Sequence, residues 1–240
     1  MLGTWSIVHS TNGMLGALFT ASLARCLASE GVRVLLAELS PHAPALDILL
    51  GVCEKVVYTL SDIPRIDPGE VVLRVRENLM LIPLGVEETP TDPDAVRASV
   101  RATEPDVVLV TAERAMLPLA SEVSDGVLLL TDASPVGLRA ASAWAQRATF
   151  DGFVLTDFVP TREWVSENPS LTSISDDLGL PLFGILPRID ENNTCSPMGK
   201  DFLSAIENMA GRMIGETVPL LRGIRIEGMR RHKFFETISE

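Results

Sequence analysis

Ser6-Ile7-Val8-His9-Ser10-Thr11-Asn12-Gly13-Met14-Leu15-Gly16-Ala17-Leu18-Phe19 sets a short apolar run against a polar loop with two glycines, then opens a longer apolar-periodic segment. A strand feeding a helix through such a loop aims backbone N–H groups and the positive end of the helix at one point, which is how an anion is held without a side chain. Two glycines alone are a weak signal, so the rest of the chain has to decide what the loop belongs to.

Outward from it, runs rich in Val, Leu and Ile recur at 6–8, 32–37, 79–84, 107–110, 127–130, 153–155 and 182–186. They are apolar throughout rather than alternating, the pattern of strands covered on both faces. Helical patterns lie between them at 15–30, 92–103, 115–123, 135–148 and 197–214, and Ser134-Pro135 and Ser196-Pro197 supply helix-opening pairs. The alternation predicts an α/β fold with a doubly wound, mostly parallel sheet of about seven strands and helices on both faces. Ligands in such sheets gather at the carboxyl ends of the strands. Stretches 64–68, 89–93 and 160–169 read as proline-rich surface loops, and no internal repeat is visible.

The chain has 240 residues and 46% hydrophobic content, enough for one large core. Cys26, Cys53 and Cys195 are far apart, so we expect neither a disulfide framework nor a zinc knuckle, but small apolar side chains in a reducing compartment. No basic region with a long apolar stretch and cleavage site precedes the first strand, and no apolar run approaches the roughly 18 residues that cross a bilayer. The expectation is a cytoplasmic protein. A net charge of −12 repels phosphate backbones, so no nucleic-acid partner is expected.

Further segments give the opening loop its context. Gly31-Val32-Arg33-Val34-Leu35-Leu36-Ala37-Glu38-Leu39-Ser40 followed by Leu46-Asp47-Ile48-Leu49-Leu50-Gly51 resembles the second strand and following helix of the MinD/ParA branch of deviant-Walker ATPases. Val56-Val57-Tyr58-Thr59-Leu60-Ser61-Asp62, Glu77-Asn78-Leu79-Met80-Leu81-Ile82-Pro83, Leu178-Gly179-Leu180-Pro181-Leu182-Phe183-Gly184-Ile185-Leu186-Pro187 and Ser196-Pro197-Met198-Gly199-Lys200 are similar to stretches of that family in the same order. The resemblance spans residues 4 to about 215 and implies a P-loop NTPase-like domain over 1–215, with a tail at 216–240.

The same alignment exposes departures. The family loop resembles Lys-Gly-Gly-x-Gly-Lys-Thr, and setting Gly16 at its last glycine puts Asn12, Ala17 and Leu18 where the two lysines and the magnesium-binding hydroxyl belong, with Gly13 retained. Ala17 carries no charge for a β/γ-phosphate pair, and Leu18 offers magnesium no oxygen. The acidic motif after the second strand reads Glu38-Leu39-Ser40, the Walker-B-like strand ends in Thr111, and the adenine-reading asparagine aligns with Thr156 beside Asp157, a carboxylate expected to repel a polyphosphate. No catalytic residue, no metal site and no bound ATP or magnesium are therefore expected.

Plainer readings stand beside these. Gly13 and Gly16 also suit a tight turn without a ligand. Glu38 and Asp47, as acids at a sheet edge, read most simply as solvated groups. His9, His42 and His232 have no ligand spacing, His9 at a strand end being the one of interest, and Ser10 and Ser40 lack a nucleophile's context. Asn192-Asn193-Thr194 fits a glycosylation sequon without a secretory route.

The expected function is a pseudo-ATPase that dimerises, with itself or with an active relative, as a scaffold, positioning or regulatory subunit, for example in cell division. One alternative is an atypical nucleotidase using Glu38 to orient water. The other is a membrane-surface adaptor through Arg230, Arg231, Lys233, Phe234 and Phe235, since MinD proteins end in an amphipathic membrane-targeting helix that this tail resembles. Docking of the tail on a partner or on its own domain is the competing expectation, and peripheral membrane contact the weaker one.

Overall fold

The computed structural model describes residues 2–9, 13–42, 44–63, 65–85, 92–159, 161, 167–188 and 199–224. The architecture is α/β with eight mostly parallel strands and helices, and the chain divides into two compact units, Met1–Val127 and Leu128–Glu240.

In the first unit, β1 (Gly3–His9), α1 (Gly13–Ser29), β2 (Val34–Leu39), α2 (Leu46–Leu50), α3 (Pro68–Val71), β3 (Leu73–Arg76), β4 (Leu79–Ile82), α4 (Pro93–Thr103), β5 (Val107–Ala112) and α5 (Leu117–Val123) follow one another. The strands lie in the order β3-β4-β2-β5-β1. Every residue of β2 and β5 is buried, which accounts for their uninterrupted apolar runs. α1 packs on β1, β2 and β5, burying Phe19, Leu23 and Leu27 at 0% exposure. At about 25 cal/mol per Å² of apolar surface, such side chains each contribute roughly 1.5–3 kcal/mol.

β3 exceeds the seven strands expected. It is antiparallel to β4 across the turn Glu77-Asn78, where Asn78 takes φ +58°. Its Leu73-Arg74-Val75-Arg76 alternates between half-buried and exposed because only one face meets the core. Two further helices were not among those expected, the first of them at the end of the stretch 64–68 read as loop. Asp67 accepts from Gly69 N–H at 2.8 Å and opens α3 at Pro68. The other lies in the second unit.

That unit holds β6 (Gly126–Asp132), whose first two residues fall in the first unit, then α6 (Pro135–Ala145), β7 (Gly152–Phe158), α7 (Leu171–Leu178), β8 (Leu182–Pro187) and α8 (Lys200–Met213). β6, β7 and β8 are parallel neighbours. Ser134 caps α6 by accepting from Gly137 N–H at 3.0 Å, as its Ser-Pro pair implied. α7 is the missed helix: Ser170 caps it at Ser173 N–H, 3.0 Å, and Leu171, Ile174 and Leu178 form its buried stripe. The expected Ser196-Pro197 start of the last helix lies outside the described residues, and α8 is described from Lys200.

Residues 216–224, the first part of the segment read as a tail, pack on α8. Asn208 Nδ2 donates to Arg222 O at 2.8 Å, and Arg212 donates from Nε to Val218 O and from Nη1 to Phe183 O. Leu221 and Ile224 are buried there. Cys53, expected as an ordinary apolar side chain, is exposed on a 3-10 turn, and Cys26 is half-buried; Cys195 lies outside the described residues.

Candidate functional site

β1, β2 and β5 bring the loop and acidic positions to one edge of the first unit. His9 ends β1, Glu38 and Leu39 end β2, and Thr111 and Ala112 end β5. The parallel register pairs Glu38 with Thr111, and Thr111 with Ile7 on its other side. α1 starts at Gly13, whereas Asn12 lies outside the described residues.

Ala17 is buried at 3% exposure and Leu18 is half-buried, so the two positions aligned above with a lysine and a hydroxyl are apolar and packed. The segment Gly13-Met14-Leu15-Gly16 contributes no charged side chain. Gly16 needs its missing Cβ: one built there would stand 2.7 Å from His9 Cδ2, and one on Gly13 would stand 3.1 Å from His9 Cε1. The imidazole therefore lies directly against the first turn of α1.

Glu38 is not a solvated edge acid, contrary to expectation. It is 1% exposed, and its Oε1 accepts from Ala45 N–H at 2.7 Å and Leu46 N–H at 3.2 Å, so its carboxyl closes the start of α2. Burial pushes its pKa up to about 7, against the pull of the Ala45 and Leu46 amides, with Asp47 adding repulsion. Asp47 is turned to its own helix, where its Oδ1 accepts from Ile48 N–H. Ser40 is buried at 8% exposure.

Thr111 is fully buried, and its Oγ1 has no hydrogen-bond partner among the described residues; the same holds for His9 Nε2. Burial lowers the His9 pKa, with the nearby Glu113 carboxylate pulling it back up. Glu113 in turn meets His42 Nδ1 at 2.6 Å. Glu113 was not singled out in the sequence, although an acid two residues past a buried strand-end threonine marks a group held at the same edge. Among the described residues, no group of three His, Cys, Asp or Glu side chains is placed to hold a metal ion.

Thr156 lies on β7 in the second unit, buried at 4% exposure and in register with Asp132. The adjacent Asp157 takes φ +58°, and its carboxylate is held by Arg188 at 2.7 and 2.8 Å. The repulsion expected from Asp157 is thus largely offset by a guanidinium that the sequence reading did not connect to it. Arg230, Arg231, Lys233, Phe234 and Phe235 lie outside the described residues. No helix among the described residues is long and apolar enough to cross a membrane.

No protein-family model matches the chain. The septum site-determining protein MinD of Thermotoga maritima is 26% identical over 247 aligned positions, covering 91% of both chains. Among solved structures, the MinC:MinD cell division protein complex of Aquifex aeolicus superposes with a TM-score of 0.74 at 21% identity, covering 90% of this chain and 98% of that one. A ParA family ATPase from Chlorobium tepidum superposes with a TM-score of 0.62 at 16% identity, covering 100% and 98%.

Proposed function

We propose that this chain is a non-hydrolysing member of the MinD/ParA-like P-loop NTPase family that works by pairing with protein partners, a reading supported by its likeness to MinD and ParA proteins. The observation that carries the reading is the uncharged opening of α1, where a packed Ala17 and a half-buried Leu18 stand at the phosphate and metal positions. Phosphoryl transfer depends on positive charge and metal oxygens aimed at the developing charge, and removing one such donor already costs about 10²–10³ in rate. Here Ala17 lacks the charge, Leu18 lacks the oxygen, Thr111 has a neutral hydroxyl in place of a carboxylate, and Asn12 stands at the other lysine position.

The residues present do not fit a magnesium triphosphate. Glu38, the acid at the end of β2, has its carboxyl engaged by the amides of α2 instead of standing free to orient water. That engagement favours the pseudo-ATPase over the nucleotidase alternative. A scaffold of this kind would pair with a second copy or with an active relative; the similar Aquifex aeolicus structure is a MinC:MinD cell division protein complex, an assembly with another protein. The adaptor alternative rests on the tail residues and is tested by flotation with anionic liposomes before and after deletion of residues 225–240.

Phosphate release by the purified full-length chain in ATP and magnesium tests the leading reading. The expected rate equals the protein-free blank. Turnover above the blank that Glu38→Gln abolishes would replace it with the nucleotidase.

A further inference from the structure

His9 lies against the first turn of α1, and the reading of the emptied loop does not use it. Its ring sits between the end of β1 and Gly13 and Gly16, close enough that a Cβ on Gly16 would overlap it. Its Nε2 is buried and makes no hydrogen bond among the described residues. We propose that His9 is a proton-sensitive latch: its neutral ring fastens the first turn of α1 to the end of β1, and protonation releases that turn.

The charges around the ring give the latch its direction. The first turn of α1 has no acid to receive an imidazolium, and it presents the positive end of a helix of 17 residues. β1 carries no charged side chain. From β2, Glu38 spends its carboxyl on Ala45 and Leu46 N–H, with Asp47 beyond it on α2. After β5, Glu113 is the acid that attracts a charge on His9; Arg114 follows it, and Glu113 is shared with His42 at 2.6 Å.

A proton on His9 is therefore unwelcome in its present seat and drawn toward Glu113. Because burial dominates and sets the folded pKa below the ordinary 6.5, folding keeps the ring neutral. The stability it contributes is present above 6.5 and lost as pH falls below that value. Glu38 has the opposite sign, since its raised pKa favours the folded state at low pH, so the direction of any pH effect on α1 separates the two groups.

The test is amide hydrogen exchange of the full-length chain from pH 8 to 5, corrected for intrinsic exchange, with His9→Phe and Glu113→Gln alongside. Protection across Gly13 to Thr20 is expected to fall about tenfold on acidification in the native chain and to stay flat in His9→Phe, while helices remote from the site are unmoved. Glu113→Gln, which removes the attraction, is expected to move the midpoint to lower pH. An identical pH profile in His9→Phe overturns the proposal. If that variant does not fold, an unmoved midpoint in Glu113→Gln does the same. The readout involves no nucleotide, so its failure leaves the pseudo-ATPase reading intact, and the reverse holds.

Discussion

Glu38 carries a carboxyl 1% exposed to solvent whose pKa burial lifts from 4.5 to about 7. A folded pKa above the unfolded one means that the folded state binds the proton more tightly. The associated stability is fully present below pH 4.5 and is lost as pH rises through about 7. The span between those values corresponds to a change on the order of 3 kcal/mol. Glu38→Gln removes that titration while leaving an amide oxygen for Ala45 and Leu46. Denaturant unfolding at pH 5 and pH 8.5 should show the native chain losing stability relative to the variant by about that amount. Parallel losses in both chains would mean that Glu38 is ionised and accommodated at neutral pH, and would return it to the list of acids free to act on a ligand. The role of Glu38 was illegible in the sequence because its partners lie at Ala45 and Leu46, and only the fold brings α2 back over the end of β2. His9 was visible as a strand-end histidine, but its seat on Gly13 and Gly16 is a matter of packing that spacing does not reveal.

Elements buried on both faces were the legible ones. β2, β5 and β6 are continuous apolar runs; the structure lengthens β5 and β6 by two and three residues and shifts β2 by two toward its carboxyl end, so that a polar residue such as Glu38, Thr111 or Asp132 lies at or next to the end of each strand. β3 was missed because four alternating residues with two arginines do not look like a buried strand; it is an edge strand, and charge there also discourages unwanted pairing. α7 is masked in the sequence by the proline-rich stretch before it, although Ser170 followed by Leu171, Ile174 and Leu178 is a cap with a one-sided apolar stripe. The cap has a measurable consequence. Ser170→Ala removes the acceptor for Ser173 N–H and should cost about 1 kcal/mol in denaturant unfolding, whereas Ser170→Asn, which keeps an acceptor at the cap, should change little. Equal effects would deny the capping role. The segment after α8 was read as the start of a tail on composition, yet Arg212 and Asn208 hold residues 216–224 through their backbone carbonyls, contacts that carry no sequence signature at the accepting end.

At the scale of the whole chain, a net charge of −12 accompanies an opening of α1 in which Ala17 and Leu18 carry neither charge nor oxygen. Magnesium neutralises part of a triphosphate, and the rest has to be met by side chains and by amides at the start of α1. Amides alone hold small anions, but a triphosphate brought to an acidic surface without a lysine or a metal-binding oxygen gains little to offset its desolvation. The fold, which superposes on the Aquifex aeolicus MinC:MinD structure over 90% of this chain, is independent of that chemistry, since its strands and helices are held by the apolar core. Isothermal titration of ATP with magnesium into the full-length chain measures the central claim directly. The account predicts no saturable heat up to about 1 mM nucleotide, a ceiling of roughly 4 kcal/mol in binding free energy. A saturable isotherm of one site per chain with a micromolar Kd would contradict it.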